Sequence, residues 1–201
     1  TTAAENVIIG YLAGGAQAAT SGYNVVIGNE AAEEMTSMSE STVVGYKAAT
    51  SNTSGSQILA MGYLAYDGAD TENHNLAIGS AALGGPVAGG EYNVAIGNYS
   101  LDALTSGDYN TSIGYDSGTA LTDGHRNTFI GFEAGKGCVG GGQNVCIGDA
   151  AGSGALSDAT GRSVMIGRNS GQAMTSAGEN ILIGFEAGKS LTIGGNNVVM
   201  G

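Results

Sequence analysis

A short apolar segment ending in glycine recurs twelve times along this chain, at Gly10, Gly28, Gly45, Gly62, Gly79, Gly97, Gly114, Gly131, Gly148, Gly167, Gly184 and Gly201. The spacing stays between 17 and 19 residues throughout. Insertions are so small that every copy must occupy an equivalent place in space, which is the signature of a solenoid. A solenoid offers a long repeated surface rather than one deep pocket, so structural and binding roles gain weight over catalysis.

The copy Asn93 to Tyr109, NVAIGNYSLDALTSGDY, typifies the repeat. Four residues before the glycine stands Asn in nine copies, for example Asn93, Asn110 and Asn127, and Ser in two. Asn side chains stacked in register can hydrogen-bond along the array and tolerate the turn that opens a strand. The next three residues read as a strand. Its last residue is always large and apolar, from Ile9 to Met200. This predicts a core position, with its partner two residues earlier on the same face.

The residue between these two then points the opposite way. It reads Ile8, Val26, Val43, Ala60, Ala77, Ala95, Ser112, Phe129, Cys146, Met165, Leu182 and Val199, with no charge in any copy. An apolar stripe of that length exceeds what a soluble monomer exposes, so it is expected to be covered by two further copies of the same chain. The small residues in its middle suggest close approach at a shared axis.

After the glycine, which is expected to supply a sharp bend, the third residue is Ala or Ser in all eleven copies that have one. A second apolar position follows (Met35, Leu104, Leu121, Cys138, Leu156, Met174, Leu191), predicting a weaker second strand. Helix is rejected, because equivalents such as GKGCVGGGQ cannot be helical and equivalent copies share one structure. The expected fold is an all-β parallel solenoid of about 17 residues per coil. With inter-strand steps of about 4.8 Å, eleven of them make a rod of about 53 Å. Residues 1–201 read as a single continuous array, expected to be a fragment of a longer fibre protein.

Composition narrows the partners. Eighteen acidic residues against six basic ones give a formal charge of −12. Phosphate binding needs a cationic face, so a nucleic-acid partner is excluded. No apolar run is long enough for a membrane span, and no membrane insertion by this segment is expected. Cys138 and Cys146 align with apolar positions of neighbouring copies and read as core residues rather than a disulfide or metal pair.

The segments NVAIG, NTFIG and NILIG, a small residue three places on and a TSG-type turn before the next copy together resemble the head repeats of trimeric autotransporter adhesins of the YadA type, and related phage tail-fibre repeats. The likeness covers essentially the whole chain. It implies a left-handed parallel β-roll, a homotrimer, an extracellular location on a virion fibre or bacterial surface, and attachment to a host surface. The repeat is longer than the shortest head repeats, and neck, stalk and membrane anchor are not among these residues. A purely structural filament is the first alternative. A left-handed β-helix acyltransferase is the second, although its three hexads per coil are not visible here.

Candidate sites are few, and no cofactor, metal or catalytic residue is assigned. His74 and His125 lie in turns without a partnered nucleophile. Asp67, Asp70 and Glu72 could offer oxygens to calcium but lack a regular ligand loop. Asp116 and Glu133 occupy equivalent places in adjacent coils and would repel, whereas Glu30 and Lys47 would attract. A partial aromatic line follows the glycine: Tyr11, Tyr46, Tyr63, Tyr115, Phe132 and Phe185. Exposed, these rings could stack on cell-surface glycans; tucked into the corner, they would be packing.

Overall fold

A computed structural model describes residues 5–15, 22–154, 161–176 and 178–201. Twelve three-residue strands, from β1 (Val7–Ile9) to β12 (Val198–Met200), form one parallel sheet in sequence order. The register never slips: Val94, Ala95 and Ile96 of one strand pair with Thr111, Ser112 and Ile113 of the next. Equivalent residues therefore stand in columns along the rod, and no helix occurs among the described residues.

The anchor glycine is required twice over. Its φ lies between 122° and 147° in every copy, a region essentially reserved for glycine. A Cβ on Gly45 would also come 2.1 Å from the carbonyl oxygen of Gly62 in the next coil. The coils are stacked too closely there for any side chain. Beyond the glycine the chain does not form a second strand, contrary to expectation. It runs through turns with positive φ at alternate residues, as at Tyr99 (60°) and Leu101 (52°). Isolated bridges, Gly22 to Ser39 and Ser176 to Ile193, are the only ladder found opposite the sheet among the described residues. The second apolar position is nonetheless real: Met35, Leu104, Leu121, Cys138 and Met174 are fully buried, while Leu156 lies outside the described residues.

The strand faces are the reverse of the sequence expectation. Val26, Val43, Ala60, Ala77, Ala95, Ser112, Phe129, Cys146, Met165 and Leu182 point into the chain's own core and are 0% exposed. Ile8 and Val199, in the end coils, are partly buried against the same core. The residues to either side, such as Ile96 and Val94, point outward. The Asn column decides this parity. Asn93 Nδ2 donates to the Gly107 carbonyl across its own coil at 2.8 Å, so the Asn side chain points inward, and so does the residue two places on.

The small residues in the middle of that column do not mark a shared axis either. Except at Ser112, they are balanced inside their own coil by the residue four places after the glycine. Ala60, Ala77 and Ala95 face Tyr66, Leu83 and Leu101, all fully buried. Where the strand residue is Phe129, Cys146, Met165 or Leu182, that position is Gly135, Gly152, Gly171 or Gly188, and a Cβ there would overlap the larger side chain. In the coil of Ser112 the matching position is Gly118, whose space is taken by Leu101 and Phe129 of the coils on either side, so interior volume is balanced between neighbouring coils as well as within them.

Candidate functional site

Because the middle residue is the core, the outer face of the sheet is built from its two neighbours. Twelve pairs run along the rod, among them Val25 with Ile27, Leu76 with Ile78 and Val94 with Ile96. Thr42, Thr111 and Thr128 are the only polar members, and none is charged. Val7, Ile9, Met61, Ile181, Ile183, Val198 and Met200 are exposed outright, and the rest are half-buried by their neighbours in the sheet. Such columns, β-branched except at Leu59, Met61, Leu76 and Met200, make a flat, complementary surface.

Two further columns border this face. The one after the glycine holds the expected aromatics, and the structure places all six at the surface, from Tyr46 at 43% to Tyr11 at 69% exposed. Tyr46 and Tyr63 stack at 5.4 Å with planes 10° apart, and Tyr115 and Phe132 at 5.6 Å and 9°. Rings stacked along the rod cover one another's faces and turn edges and hydroxyls outward. A sugar ring needs a free face, so within these pairs only the outer faces can receive one.

The second bordering column lies five residues before the glycine, and sequence reasoning missed it. His74 stacks on Tyr92 at 4.6 Å, Tyr92 on Tyr109 at 5.0 Å, and the Arg126 guanidinium sits 5.6 Å from the Tyr109 ring. The available signal was the recurrence of Tyr23, Tyr92 and Tyr109 at one repeat position. His74 is thus a member of an exposed ring stack.

The polar columns hold the coils together. Asn110 donates through Nδ2 to the Gly124 carbonyl at 2.9 Å and accepts at Oδ1 from the Asn127 backbone N–H at 3.0 Å. The same pattern recurs through Asn93, Asn127 and Asn144. Lys47 pairs with Glu30 at 3.0 Å, as expected. The anticipated repulsion between Asp116 and Glu133 is neutralised by Lys136, whose Nζ lies 3.0 Å from one and 2.8 Å from the other.

Asp67, Asp70 and Glu72 do not converge. Asp70 Oδ1 accepts from Thr53 Oγ1, and the buried Glu72 carboxylate accepts from the backbone N–H groups of Asp70, Thr71 and Gly89. Among the described residues no three His, Cys, Asp or Glu side chains gather in a metal-binding group. Cys138 and Cys146 are buried thiols that form no disulfide, and burial pushes the Cys146 thiol well above its ordinary range.

No family profile, curated protein or solved structure matches the chain. No helix among the described residues is long and apolar enough to cross a membrane.

Proposed function

We propose that this chain is a non-enzymatic segment of a homotrimeric fibre, carried on a virion or a bacterial surface outside the cell, that serves in attachment to a host surface. The single observation carrying this reading is the uncharged outer face of the sheet. Three residues across and twelve coils long, it covers roughly 500 Å², near the upper limit for a monomer's exposed apolar patch. With the bordering columns the surface approaches about 1,000 Å², above the roughly 800 Å² per partner of a stable interface. Identical columns on a second copy are the simplest complement to such a regular surface. The resemblance to YadA-type head repeats supports three copies around one axis and a left-handed coil.

The interface columns in this proposal are those of Val94 and Ile96, not that of Ala95. Sedimentation of the wild-type chain should give a trimer. Ile96→Glu should give a folded monomer with unchanged β-type circular dichroism. Ala95→Glu, which forces a carboxylate into the core, should unfold the central coils instead. A wild-type chain that is monomeric at all accessible concentrations would overturn the trimer. Attachment is tested separately, by whether the fluorescently labelled assembly binds host cells saturably.

A further inference from the structure

A groove of about 850 Å³ runs along the last coils, beside the apolar face. Its floor is the column six residues before the anchor glycine. In earlier coils that column carries side chains that satisfy one another's backbone: Ser39 N–H donates to Ser56 Oγ at 3.3 Å, Ser56 N–H to Asn73 Oδ1 at 2.9 Å, and Glu91 N–H to Asp108 Oδ1 at 2.9 Å. From Gly142 onward the column is Gly142, Gly161, Gly178 and Gly195, and the side-chain oxygens stop. The N–H groups of Gly142, Gly161 and Gly178 meet no such oxygen, because the residue above each is another glycine.

The walls are polar and of mixed sign. His125 closes one end, and Gln143, Arg162, Glu179 and Asn196 stand along one side. Arg162 and Glu179 form an exposed ion pair at 3.3 Å, and Asp123 adds a carboxylate at the His125 end, so the groove offers no cationic site for a phosphate or another polyanion. The groove thus alternates donors and acceptors over three coil steps, about 14 Å. Its N–H row asks for oxygen atoms at a repeat of about 4.8 Å, where the other coils supply Ser, Asn and Asp oxygens.

We infer that this groove binds an extended, uncharged oligosaccharide, whose ring and hydroxyl oxygens take the places left by the missing side chains. Linked pyranose rings present oxygens at every step of the chain and can both donate and accept, as these walls require. No Phe, Tyr or Trp is among the lining residues and the one ring, His125, stands at the end, so recognition along the floor is by hydrogen bonds and not by ring stacking. The site deepens the attachment reading and rests on it for its biological sense. It does not depend on the apolar face, whose columns do not line it.

The test is calorimetric titration of the intact chain with two probes, maltohexaose and the unbranched hexamer of N-acetylglucosamine. At least one should bind saturably. Gly142→Asn fills one end of the floor, where a Cβ comes 3.1 Å from the His125 carbonyl oxygen, and should weaken binding about tenfold while the chain keeps its β-type circular dichroism and a cooperative melt, with some stability lost to that close approach. Arg162→Ala, at a largely exposed side chain, should weaken it comparably. Absence of saturable binding to both probes at millimolar concentration overturns the inference. So does binding that ignores both substitutions and is lost in Tyr63→Ala; that outcome would leave attachment intact but move it to the aromatic column. Loss of the trimer in sedimentation would instead count against the assembly and leave the groove untouched.

Discussion

The ring of Phe129 occupies the space that a side chain at Gly135 would need: a Cβ built on Gly135 would lie 2.5 Å from Phe129 Cδ1. The two residues belong to one coil, six apart, and the coil closes only because one is large and the other has no side chain. Gly135→Ala should destabilise the array by about 3 kcal/mol, combining overpacking with an unfavourable φ of 61°. Phe129→Ala alone should cost about 4 kcal/mol through its cavity. The pair Phe129→Ala with Gly135→Leu copies the combination of Ala95 and Leu101, and should recover about 2 kcal/mol of the summed cost in denaturant unfolding.

The Asn column predicts a local fracture. Asn110→Ala would strip an acceptor from the Asn127 N–H and a donor from the Gly124 carbonyl, both buried, at a cost of about 3 kcal/mol. Stability in a linear array is shared mainly between neighbours. Amide exchange should therefore accelerate most in the coils around residue 110, with the end coils changed least.

One buried side chain works against the fold. Asn52 is fully buried, and neither its Nδ2 nor its Oδ1 has a hydrogen-bond partner. Its column holds Met35, Leu104 and Leu121 in other coils. Asn52→Leu should raise stability by about 1–3 kcal/mol, the typical penalty of an unpaired buried amide. A lower unfolding midpoint for this variant would refute the reading.

The cysteines should be silent in the native protein. Burial holds the Cys146 thiol protonated well above its ordinary range, and the thiolate is the reactive form. A disulfide-exchange reagent added to the folded chain should titrate no buried thiol, and two after denaturation.

Asp67 and Asp102 make folding weakly pH-dependent. Both carboxyls are raised above the usual range, chiefly by burial; the Asp102 charge adds to the shift of Asp67, and Asp116 to that of Asp102. The folded state holds these protons more tightly than the unfolded one. Their contribution to stability is therefore fully present below the ordinary carboxylate pKa and is lost as pH rises through the folded value. Asp102→Asn should raise the melting temperature at neutral pH, and the gain should disappear in acid, where the wild-type side chain is also neutral.

Much of the architecture was legible because it repeats. Twelve copies of one pattern fixed the coil length, the anchor glycine and the Asn ladder, since a column cannot change structure from one coil to the next. The pairing of Lys47 with Glu30 followed from the same periodicity. The ring stack of His74, Tyr92 and Tyr109 escaped notice because its column also holds Glu, Gln, Arg and Asn, and partial columns give a weak signal. The second strand was predicted from an apolar position that a run of turns buries equally well.

What the sequence settled by itself was the period of two along each strand: Val94 and Ile96 share a face, and Ala95 takes the other. Both faces are apolar, so hydrophobicity could not say which one lies inside. The tertiary structure decided it through the direction in which the chain turns after the glycine and the inward hydrogen bond of the Asn side chain. That choice converts the column of Ala95 and Phe129 from a supposed interface into the core, where Leu101 and Gly135 balance their volumes. It leaves the Ile and Val columns outside, because a coil of about 17 residues has room for only one face of its strand.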